Sequence, residues 1–139
     1  MANVEMFKKI RDQIKSEPKG FYMGSWESPA FSADPDLDYI VDFYVPETDE
    51  WDVAPVSECG TQRCVAGWAI YFRAEEMGLD LSRPLRDLAI QVDPHLGESY
   101  ALLGEAVLDI DRYEANSLFY GHEDEAYRIV DDYAEGRRG

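Results

Sequence analysis

Apolar side chains return at helical spacing along most of the chain. Val4, Phe7, Ile10 and Ile14 form the first stripe, with Lys8, Lys9, Arg11 and Lys15 between them. Asn3 is placed to cap this stripe, and Pro18 and Gly20 to end it, which predicts an amphipathic first helix. The pattern then breaks. Residues 21–58 lack a 3.6-residue period, but within them Tyr39, Val41, Phe43 and Val45 alternate with Ile40, Asp42 and Tyr44. That alternation, followed by the turn-forming Pro46-Glu47-Thr48-Asp49-Glu50 and by Trp51-Asp52-Val53, predicts a short β-ribbon at about 39–53. A lone ribbon is marginal in water and must pack on helices.

Over 61–77 apolar residues nearly encircle the helix. Cys64, Trp68 and Phe72 line one stripe, with Val65, Ala66, Ala69 and Ile70 on its flanks, as expected of a central buried helix. Thr61 is its expected N-cap, and Gly78-Leu79 its stop. Gly67 in mid-helix costs about 1 kcal/mol relative to alanine, and together with Ala66 it allows a neighbour to approach closely. Further on, Pro84 opens a short helix, and a second covers about 98–108. Asp111 and Glu114 form a capping box before Ala115, Leu118 and Phe119, and a last helix begins near Glu123. The fold class is therefore mainly α, or α+β if the ribbon forms. One domain spans 1–139, with residues 28–60 as an insert and 136–139 as a fraying tail. Trp26, Cys64, Gly67, Trp68, Phe72, Leu118 and Phe119 are the expected core.

Charge changes the picture. The chain carries 29 acidic residues against 13 basic, a net −16. Direct nucleic-acid binding requires basic side chains to displace phosphate counterions, so this balance argues against it. No apolar run approaches the length of a membrane span, and the N-terminus reads as helix rather than as a leader, so the expected location is cytoplasmic. Two segments concentrate the acid. Residues 28–62 hold Asp34, Asp36, Asp38, Asp42, Glu47, Asp49, Glu50, Asp52 and Glu58 with no Lys or Arg. Residues 93–127 set Asp93, Glu98, Glu105, Asp109, Asp111, Glu114, Glu123, Asp124 and Glu125 against Arg112 alone.

Candidate chemistry is sparse. Cys64 in a first helical turn is a candidate nucleophile, because the helix dipole there lowers a thiol pKa; otherwise it is a small buried apolar residue. Cys59 and Cys64, with His95 and His122, are the candidate metal ligands, although the histidines are far apart in sequence. Asp34-Pro35-Asp36-Leu37-Asp38 fails as a calcium loop, because Tyr39 and Val45 stand where glycine and a bidentate glutamate are required. No cofactor is implied by any motif.

Cys59-Gly60-Thr61-Gln62-Arg63-Cys64-Val65-Ala66-Gly67-Trp68-Ala69 resembles the Cys-Gly-Thr-x-x-Cys-aliphatic-Ala-Gly-(Trp/His)-Ala signature of a group of small bacterial and bacteriophage proteins of uncharacterised function. Met23-Gly24-Ser25-Trp26 and the segment 106–119 are similar to further pieces of that group. The acidic insert, and Asp109 where the group often has glycine, depart from it. The resemblance implies a helical domain in a phage or actinobacterial setting and brings no reaction with it. The expectation is a non-enzymatic phage- or prophage-type protein, active in host takeover in the host cytoplasm. It would bind a basic host protein through its negative face in the manner of a DNA mimic. Asp36, Asp38, Tyr44, Asp49, Trp51 and Asp52 are the expected contacts, aromatics ringed by carboxylates suiting a protein-binding patch. The alternatives are a cysteine-centred enzyme, a Cys/His metal protein, or a well-solvated acidic surface without a partner.

Overall fold

A computed structural model of the chain describes residues 2–18, 21, 23, 27–29, 40–55 and 61–138; for 27–29, 40–42, 53–55 and 61–62 it describes the backbone alone. The first helix, α1 (Val4–Ser16), buries Met6, Phe7, Ile10 and Ile14. Asn3 caps it, its Oδ1 accepting from the Met6 N–H at 3.2 Å, while its Nδ2 donates to the Val107 carbonyl at 3.1 Å. One side chain thus fixes both the start of α1 and its seat on the end of α4 (Tyr100–Leu108). The last helix, α6 (Glu123–Ala134), runs against α1, where Phe7 stacks on Tyr133 with centroids 4.5 Å apart. Arg11 of α1 pairs with Asp131 and Glu135 at the wet edge of that contact.

The central helix, α2 (Val65–Glu76), touches α1, α3 (Leu85–Val92), α4 and α5 (Arg112–Phe119). Eight of its residues are buried, as an apolar stretch without a wet face requires. Its start departs from expectation. Thr61–Arg63 is a strand, β4, and Cys64 rather than Thr61 is the N-cap. The extended backbone of β4 pairs antiparallel with β1 (Glu27–Pro29), so these residues meet their hydrogen-bonding needs in a ladder instead of a helical turn. The helix ends as expected: Gly78 adopts φ +73° and the Leu79 N–H donates to the Ala74 carbonyl at 3.0 Å.

Gly104 makes a close backbone approach to α2 at Ala66. A Cβ on Gly104 would lie 2.9 Å from the Ala66 Cβ and 3.0 Å from Phe119 Cζ, so α2 and α4 cross at a pair of small residues. Asp109, with φ +55°, ends α4 in the left-handed conformation that glycine adopts most readily. The Asp111 carboxylate accepts from the Glu114 N–H at 2.8 Å and caps α5.

The ribbon forms from β2 (Ile40–Val45) and β3 (Glu50–Pro55), paired antiparallel with Tyr44 opposite Trp51. It lies between β1 and β4 in sequence, so one two-stranded ribbon is nested within the other along the chain. Near the C-terminus Arg137 reaches Asp131 and Asp132 at 2.8 and 3.0 Å, and Arg138 reaches Glu114 at 2.9 Å. Among the described residues no helix is long and apolar enough to cross a membrane.

Candidate protein-binding face

The turn between β2 and β3 is built on Asp49, whose φ of +52° is one that Asp tolerates better than most residues. Its carboxylate accepts a 2.6 Å hydrogen bond from the Tyr44 hydroxyl, tying the turn to the strand that enters it. Tyr44 is buried, its ring 5.8 Å from Trp51 on one side and 5.9 Å from Tyr127 of α6 on the other. Burial raises the phenol's pKa, and the bond to the Asp49 carboxylate adds to the rise, so Tyr44 stays a neutral donor. This corrects its expected role. Tyr44 is the inward strut of the ribbon rather than a partner contact.

What the strut supports faces outward. Trp51 is 50% exposed, although its indole is among the largest apolar groups in the chain, and Glu47, Asp49, Glu50 and Asp52 of the turn and strand are exposed. Asp36 and Asp38 lie outside the described residues. The first turn of α6 supplies Glu123, Asp124 and Glu125. Arg128 joins the two groups, with Nη2 3.8 Å from Asp49 and 3.9 Å from Asp124. The turn of the first acidic run therefore meets the end of the second, some 75 residues later in sequence. The remaining acids of the second run are dispersed and partly neutralised. Glu105 pairs with Arg112 at 2.8 Å and Glu114 with Arg138, while Asp93 accepts from the His95 and Leu96 N–H groups, which lower its pKa.

No signal in the sequence marked Tyr127, Asp124 or Arg128 as parts of this face. A long-range contact between a ribbon and a helix has no local pattern.

The cysteine and histidine candidates do not assemble. Cys64 is 2% exposed, and its Sγ accepts from the Gly67 N–H at 3.4 Å, so the thiol is turned into the core. Burial raises its pKa to about 11, outweighing the N–H groups at the helix start that lower it. A poised thiolate needs the opposite environment. His95 and His122 are exposed on separate elements, and Cys59 lies outside the described residues. Among the described residues no three His, Cys, Asp or Glu side chains converge to hold a metal. Trp68, Phe72, Gly67, Leu118 and Phe119 are buried around Cys64 or on the helices beside it, and Trp26 lies outside the described residues.

The thiol makes a prediction of its own. At pH 7 iodoacetamide should leave Cys64 unmodified in the native protein and alkylate it after denaturation, as read by site-resolved mass spectrometry. Burial denies the reagent access, and the raised pKa keeps the thiolate fraction well below that of an unfolded thiol with its ordinary value of 9.0. Its contribution to stability is therefore complete below pH 9 and is lost as pH climbs towards 11. Rapid native alkylation of Cys64 would show the buried environment to be wrong.

The chain was compared with protein families, curated proteins and solved structures. It matches none. The reading of the face rests on its own geometry and charge.

Proposed function

We propose that this chain acts by binding a protein partner with a basic face, through the ribbon turn and the first turn of α6. The observation that carries the reading is Trp51. It is a half-exposed indole seated on a buried tyrosine, with Glu47, Asp49, Glu50 and Asp52 exposed in the same turn and strand. Large aromatics supply binding energy when a partner desolvates them, and surrounding carboxylates select a basic partner and speed the encounter. A net charge of −16 gives long-range steering towards such a partner and repels nucleic acid. Taken with the Cys-Gly-Thr resemblance, the setting we propose is a phage- or prophage-type protein in the host cytoplasm. There it would occupy a basic surface of a host protein, such as one that otherwise receives DNA.

The test is affinity capture of the partner from host lysate, followed by kinetics with the purified pair. Association should slow by about an order of magnitude or more between 50 and 500 mM salt, because the Debye length shrinks from roughly 14 to 4 Å. Dissociation should change little. An association rate indifferent to salt would remove the acidic face from the mechanism.

A further inference from the structure

The helical body carries a second surface, lined by residues other than those of the acidic face and with balanced charge. The 3-10 turn Leu96–Glu98 folds back onto α3, and between that turn and α3 lies an open groove of about 850 Å3. Ile90, 39% exposed, and Tyr100 supply its apolar surface, and Arg83, Arg86, Asp87 and Glu98 its charge. Arg83 pairs with Asp87 at 3.9 Å. The side chains of Arg86 and Glu98 make no ion pair or hydrogen bond with any described residue. An unneutralised guanidinium is notable here, because acids outnumber bases by more than two to one along the chain and most of the other described cations have a carboxylate within 4 Å. The two sides of the groove are closely packed. The Gly97 backbone sits so close to α3 that a Cβ there would be 2.3 Å from the Ala89 carbonyl oxygen, which fixes the spacing of the two sides before any ligand arrives.

We propose that this groove docks a short segment of a partner protein in which an apolar side chain is flanked by an acidic residue and a basic one. The apolar side chain covers Ile90 and Tyr100, the acid meets Arg86 and the base meets Glu98. Charge complementarity selects this occupant. A di-acidic segment meets repulsion at Glu98, and a di-basic one meets it at Arg86. The volume suits a few side chains rather than a folded domain. Because the groove's own charges balance, docking here depends weakly on salt, unlike binding at the acidic face, and either site can fail without the other.

The test uses the full chain and a fluorescein-labelled probe, acetyl-Glu-Ala-Leu-Phe-Ala-Lys-amide, read by anisotropy in 150 mM salt. The expected result is saturable binding with a Kd below about 1 mM. Arg86→Glu, Glu98→Lys and Ile90→Asp should each weaken binding by about tenfold or more. Arg86→Glu should also reverse the preference, so that a probe with lysine in place of its glutamate binds better. All three residues are exposed, so an unchanged circular dichroism spectrum is expected alongside. No saturation by 1 mM, or an affinity that Arg86→Glu leaves unchanged, overturns the proposal. A concentration-dependent dimer in sedimentation that Arg86→Glu abolishes would overturn it too, by giving the groove to a second copy of this chain.

Discussion

Gly97→Ala should be among the most damaging single-methyl changes in this protein. The new Cβ would sit 2.3 Å from the Ala89 carbonyl oxygen and 2.8 Å from the Ile90 Cα. Both are backbone atoms of α3, and backbone within a helix cannot rotate aside as a side chain can. Overpacking ordinarily costs about 1–3 kcal/mol, and a clash with main chain lies at or beyond the top of that range. About 3 kcal/mol is a large share of the roughly 5–15 kcal/mol that holds a domain of this size together. A fall in Tm of about 10 °C is expected by calorimetry, with α3 and the 3-10 turn losing amide-exchange protection first. Gly78→Ala is the control. Its Cβ would meet nothing within 4 Å, and only the φ of +73° opposes it, for about 1 kcal/mol. A Gly97→Ala protein as stable as the Gly78→Ala protein would show that the turn is not held against α3 as described.

Under the proposed function, Trp51→Ala should weaken binding of the basic partner by about 30-fold or more, the loss typical of a central aromatic anchor. Stability should fall by no more than about 1 kcal/mol, since half the indole is already in water and Tyr44 keeps its contacts with Tyr127 and Asp49. Reversing Glu47 and Glu50 to lysine should act on a different quantity. Association should slow by about tenfold at low salt, with dissociation little changed, because rim charges steer the encounter more than they hold the complex. Tyr44→Phe separates the two layers. It removes the 2.6 Å bond to Asp49 and loosens the turn while leaving every outward group in place. If Trp51→Ala leaves affinity intact while the charge reversals slow association, the face steers but the anchor lies elsewhere.

Much of the helical architecture was legible in the order of residues. The stripe of Phe7, Ile10 and Ile14, the all-apolar run from Val65 to Ile70, the Asp111 cap and the Gly78 stop are each set by neighbours within a turn or two. Local periodicity and capping therefore report them. The error at Thr61 has a distinct cause. Thr61–Arg63 contains nothing that forbids a helix, and only the pairing with Glu27–Pro29, over 30 residues earlier, draws it into a strand. Tyr44 was misplaced for a related reason. Alternation sets Phe43 and Tyr44 on opposite faces of the ribbon, yet both are buried, and the burial of Tyr44 depends on where α6 stands.

The sequence by itself determined that the chain is mainly helical, where its hydrophobic stripes fall and how negative its surface must be. Those properties depend on residue type and short-range spacing. Tertiary structure alone decided that Asp49 and Asp124 share Arg128, that the Cys64 thiol faces inward with a raised pKa, and that Arg86 and Glu98 border one groove. Each of these depends on the distance between segments that no local pattern encodes. Coulombic and desolvation energies vary with that distance and with burial, so the same carboxylates and thiol acquire their chemistry only once the helices have packed.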